Sequence, residues 1–146
     1  MDEQAQSATV PTWFWVAAVL ALLFEALGCY LYLAEVMMTD AQIAALPIDQ
    51  AAGLVARPTW YYAAFAVAVW SGLAGTVLLL LRRQLAVPVL LVSLIAVLVQ
   101  FSSVILVPAI REVTSSDALL VPIIVSVVSY GIYHLATLAR KRGWLR

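Results

Sequence analysis

Glu25, Gly28, Tyr32 and Glu35 follow one another at intervals of three, four and three residues, the spacing that places side chains on one stripe of a helix. The stripe lies inside an apolar run, residues 13–38, longer than the ~20 residues a bilayer crossing needs. A carboxyl at the centre of such a helix costs roughly 2.5–3.5 kcal/mol on insertion scales. Glu25 is therefore expected to face other helices or water between them. Intramembrane acids read first as protonation sites or as anchors for a polar ligand. The bland alternative is a carboxyl bonded across the bundle as structural glue. Glu35 sits near the end of the run, where it is expected to pair with Arg57 or Arg111, or else to form the mouth of a path down to Glu25.

Further polar residues extend the track. Gln100 falls in the third apolar run, and His134 follows Tyr130 and Tyr133 in the fourth. Gln100 either lengthens a polar line between Glu35 and Glu25 or bridges two helices. His134 reads as a proton relay or as an interfacial histidine. Tyr32 and Tyr130 are candidates to line a cavity for an apolar or aromatic ligand, with packing the commoner use of such rings. Ser93, Ser126, Ser129 and Tyr130 match the depth of Glu25 by residue count and are its expected hydrogen-bonding neighbours. Cys29 is expected to be an inert buried thiol.

Several chemistries find no support. One cysteine and one histidine allow neither an intrachain disulfide nor a cysteine or multi-histidine metal site. There is no glycine-rich phosphate loop and no nucleophile–base pair, so no cofactor and no catalytic residue is expected. Eight basic residues balance eight acidic ones, which gives no reason to expect a nucleic-acid partner.

The elements that carry these residues are transmembrane helices. Of the 146 residues, 65% are hydrophobic and 11% charged, against roughly 45–50% and 25% in soluble domains. A single all-α domain, residues 1–146, is expected, a four-helix transmembrane bundle with spans at 12–38, 60–81, 85–107 and 118–139. The start carries Asp2 and Glu3 and no base, so the first run reads as a retained helix, not a cleaved signal, behind a frayed segment, residues 1–11. The first connection is long, with two short surface helices capped by Asp40 and Asp49. Ala64, Ala68, Ser71, Gly72 and Gly75 in the second span, like Gly28 in the first, are small residues that let helix backbones approach. In the third span Ser93, Ala96, Gln100 and Ser103 share a stripe, and in the fourth Ser126, Tyr130, Tyr133 and Thr137 do. Pro108 is expected to end the third span. Six of the eight basic residues, Arg82, Arg83, Arg140, Lys141, Arg142 and Arg146, share the side of the termini. The positive-inside rule therefore predicts cytoplasmic N and C termini and an extracytoplasmic first loop.

The blocks Glu25-Ala-Leu-Gly-Cys-Tyr-Leu-Tyr-Leu, Pro58-Thr-Trp60-Tyr-Tyr, Trp70-Ser-Gly72-Leu-Ala-Gly75, Leu81-Arg82-Arg83 and Gly143-Trp144-Leu-Arg146 resemble a group of small four-helix bacterial membrane proteins. Some of these carry an automatically assigned sugar-transporter label, and the chain is also loosely similar to DoxX-type proteins. The resemblance implies a multi-pass protein of the bacterial inner membrane and carries over no established site residues. The function expected is a small non-enzymatic binding or carrier protein centred on Glu25, forming a homo-oligomer or part of a larger complex. The alternatives are an accessory subunit of a membrane complex and an intramembrane lipid-modifying enzyme.

Overall fold

The computed structural model describes residues 9–146; the start expected to be frayed lies, for residues 1–8, outside them. Among the described residues the chain is all-helical, with four helices long and apolar enough to cross a membrane. The first is α1 (Thr12–Val36). Two short helices, α2 (Asp40–Ala44) and α3 (Ile48–Val55), precede the second long helix, α4 (Thr59–Leu80). α5 (Ala86–Phe101) and α6 (Ser103–Leu106) make the third span, interrupted at Ser102. α7 (Pro108–Val113) and a 3-10 turn at Asp117–Leu119 lead into α8 (Leu120–Lys141), the fourth.

Some boundaries differ from expectation for local reasons. Pro108 begins a helix instead of only ending one, since a first-turn position needs no backbone N–H. α2 is capped by Thr39, not Asp40: Thr39 and Gln42 exchange side-chain and backbone hydrogen bonds in a capping box. Asp49 lies in the first turn of α3, behind Pro47, and supplies charge there instead of a cap.

Of each span's apolar stretch, 39% at most is buried within the bundle, and in the fourth span only 11%. Leu20, Leu23 and Val127 are each at least 60% exposed. Helices apolar on all sides with so little of their surface covered fit a multi-pass membrane protein, whose outer surface meets lipid.

Within lipid, close packing and hydrogen bonds hold helices together more than the hydrophobic effect does. α1 packs on α4, α4 on α5, and α5 on α8. Small residues make the contacts close. A Cβ on Gly28 would lie 3.2 Å from Val69 Cγ1, and one on Gly75 would lie 2.6 Å from the Leu90 side chain. Cys29 is buried and donates its thiol to the Val69 carbonyl at 3.4 Å, across the same α1–α4 seam. Ser71 instead bonds within its own helix, to the Val67 carbonyl. On α5 and α6 the stripe Ser93, Ala96, Gln100 and Ser103 is buried, as its spacing predicts. On α8 the buried stripe is Ser129, Ile132, Ala136 and Ala139, one step round from the expected Ser126, Tyr130, Tyr133 and Thr137. α8 turns its small and aliphatic residues to its neighbours and leaves Tyr130 outside.

The two ends of the bundle are built differently. At the end bearing the termini, Phe14, Ala18 and Ala21 of α1 share one core with Ile132, Ala136 and Ala139 of α8 and with Trp144 and Leu145 of the tail. Trp13 and Phe14 each meet the Trp144 ring edge-on at 5.6 Å. α4 and α8 both close in Schellman caps: Arg83 N–H reaches the Leu78 carbonyl at 2.8 Å, and Trp144 N–H the Ala139 carbonyl at 2.9 Å. Gly143 takes the left-handed position in the second cap without cost. Arg82 takes it in the first at φ 58°. Its backbone carbonyl accepts from Arg146 N–H at 2.6 Å, and its Nε donates to the Trp144 carbonyl at 2.7 Å. The tail thus straps the α4–α5 turn to the end of α8.

Candidate binding cavity

At the opposite end, α1 and α8 separate. Between them lies a cavity of about 980 Å³, at the upper limit of the roughly 300–1,000 Å³ typical of small-molecule sites. α1 contributes Glu25, Gly28, Leu31 and Glu35 to its wall, α4 contributes Tyr61 and Phe65, and α5 Gln100 and Phe101. Val121, Pro122, Val125 and Ser129 of α8 form the far side. Residues of α3 and α7 cover the top, where Gly53 and Val113 meet across the two short helices.

Glu25 stands at the deep end, only 5% exposed. Its carboxyl lies against the backbone of Gly72 on α4, where any added Cβ would collide with it. Gly72 therefore does more than let two helices approach: it vacates the space the carboxyl fills. The hydroxyls expected as partners are engaged elsewhere. Ser93 donates to the Ala68 carbonyl and Ser126 to the Pro122 carbonyl, both at 2.7 Å. Ser129 lines the same cavity as Glu25, while Tyr130 points away. Among the described residues none donates a hydrogen bond to the Glu25 carboxyl, which opens instead to the cavity.

Nearer the mouth, the polar residues form a connected set. Glu35 pairs with Arg57, in the link before α4, the first of its two expected partners. The Arg57 guanidinium also lies over the Tyr61 ring, 4.6 Å from its centroid, a cation–π contact. Tyr61 OH in turn accepts from Gln100 Nε2 at 3.1 Å. Burial works against the Arg57 charge, but the hydrogen bond to Glu35 and the nearby phenols outweigh it and hold its pKa above the ordinary arginine value. Its charge is thus already matched by Glu35.

Three of the six residues singled out by sequence, Glu25, Glu35 and Gln100, line this one cavity. The other three do not. Tyr32 is packed edge-on against Phe65 at 5.2 Å. Tyr130 and His134 stack on each other on the outer face of α8, their rings 6.1 Å apart, so His134 continues no line from Glu25. Sequence reasoning missed Tyr61 as a member of the site, though it named Arg57 as a partner for Glu35. Tyr61 is buried although it stands in a Trp-Tyr-Tyr run that reads as an interfacial belt. Its i, i+4 distance from Arg57 was the available signal. Among the described residues no three histidine, cysteine, aspartate or glutamate side chains converge to hold a metal ion.

Compared with protein-family models, with curated proteins and with solved structures, the chain gives no match.

Proposed function

We propose that the protein is a small binding or carrier protein of the bacterial inner membrane, without enzymatic activity, whose site is the cavity between α1 and α8. One observation carries the reading: a carboxyl that is costly to bury is held, without a hydrogen-bond partner among the described residues, at the deep end of a ligand-sized cavity. Structural glue would be bonded across the bundle, as Gln100 is to Tyr61. The basic residues Arg82, Arg83, Arg140, Lys141, Arg142 and Arg146 gather at the terminal end, which supports cytoplasmic termini and a cavity mouth on the extracytoplasmic side. The accessory-subunit alternative would use the small face of the second span to hold a partner, and it is weakened because Gly72 and Gly75 of that face are taken up inside the bundle.

The test is the mass of the intact particle, purified in mild detergent at native expression and weighed by native mass spectrometry. A multiple of 15.8 kDa carrying an extra small-molecule mass, lost in Glu25→Gln, is the expected result. Recovery only within a larger assembly would replace this reading with the subunit one.

A further inference from the structure

Part of the cavity wall is made of exposed apolar residues. Leu27 and Leu31 of α1 and Val121 of α8 line it, and each is more than half exposed. All three belong to spans that are apolar enough to lie in the membrane, so a gap between them would open onto lipid.

The charges select the solute. Glu25, Glu35, Asp49 and Arg57 are the charged residues of the lining, three acids to one base, and the base is already paired with Glu35. What remains is acidic, with Glu25 deepest. Phe24, Tyr61, Phe65 and Phe101 add aromatic walls, which attract cations through their faces. An anion would find no free base in the lining.

We propose that the cavity takes a lipophilic organic cation, admitted sideways from the bilayer between α1 and α8 and held by the Glu25 carboxylate. This rests on the binding reading above and narrows it to one class of ligand.

The experiment uses the full chain in lipid nanodiscs, with tetraphenylphosphonium as the probe, tetraphenylborate as its counterpart of like shape and opposite charge, and empty nanodiscs to subtract partitioning. The expected result is saturable tetraphenylphosphonium binding that tetraphenylborate does not displace. Removing one member of a buried charge pair typically costs enough that Glu25→Gln should weaken binding by about thirtyfold or more. Gly72→Ala, which leaves the carboxyl in place chemically but puts a methyl where it lies, should also weaken it, so the result does not hang on one variant. Leu31→Trp should slow association several-fold by narrowing the lateral route. Equal binding of phosphonium and borate, no binding above empty discs, or an unchanged affinity in a folded Glu25→Gln protein would overturn the cation assignment. An unchanged association rate in Leu31→Trp would overturn the lateral route. The two readings fail separately: an uncharged small molecule retained in the native mass and lost with Glu25→Gln sinks the cation proposal and leaves the binding function standing.

Discussion

The two ends of this bundle use the same kind of helix to opposite effect. At the terminal end, α1 and α8 share a core with the tail, aromatic rings meet edge-on, and backbone groups of the turn and tail bond one another. At the other end the same two helices stand apart, with a cavity, an unpartnered carboxyl and a polar set between them. α1 and α8 are the first and last spans, and the chain of contacts α1–α4–α5–α8 does not require them to meet. Where the tail bridges them the bundle closes, and where nothing bridges them it stays open. Stability should therefore be concentrated at one end and binding at the other.

The largest effect should come from breaking the closed end. Trp144→Ala removes a buried ring in contact with Trp13 and Phe14 and should cost about 3 kcal/mol, read from unfolding in mixed micelles, while a ligand bound at Glu25 keeps its intrinsic affinity in the folded fraction. Next is the ion pair at the open end. Arg57→Ala leaves Glu35 half-buried and unpaired, and a loss of about 2 kcal/mol is expected, between the values for exposed and fully buried pairs; the Glu35→Gln, Arg57→Ala double variant should recover part of it in a thermodynamic cycle. Gly131 on α8 has no heavy atom within 4 Å of where a Cβ would stand. Gly131→Ala should accordingly stabilise the protein by up to about 1 kcal/mol through helix propensity alone, visible as a rise in Tm; a loss instead would reveal a partner on that face. The smallest effect is Tyr61→Phe, which removes one hydrogen bond, from Gln100, worth about 0.6 kcal/mol within a membrane.

The spans were legible because bilayer thickness sets their length and composition marks them. The α5 stripe was legible too, since α5 is flanked by α4 and α8 and its small and polar residues are needed on its inner faces. α8 was not, because its buried stripe depends on how it is turned against α5 and the terminal-end core, a fact of assembly that residue spacing does not carry. Tyr130 belongs to the stripe that helical spacing predicts as inward, and a rotation by about one residue puts it outside. Glu25, Glu35 and Gln100 could be found by chemistry, since polar residues in apolar runs are few. Tyr61 is hidden by context: a tyrosine beside Trp60 and Tyr62 at a span's start looks like an interfacial anchor, and its burial follows only from the way α4 packs. Gly72 looked like helix-packing glycine, and its role as the space beneath the Glu25 carboxyl needs coordinates.

The separation of α1 from α8 at the open end is the claim on which the cavity, the proposed ligand and the proposed lateral route all depend. It is tested most directly by disulfide cross-linking in a Cys29→Ala background. Leu31→Cys with Val121→Cys spans the proposed gap. Gly28→Cys with Val69→Cys spans the packed α1–α4 seam, where the two Cβ atoms would lie 3.9 Å apart, within disulfide reach. Rapid oxidation of the seam pair with no intramolecular bond across the gap is the predicted result. A gap pair that closes as readily as the seam pair would mean that α1 and α8 meet along their whole length, and the binding cavity would not exist.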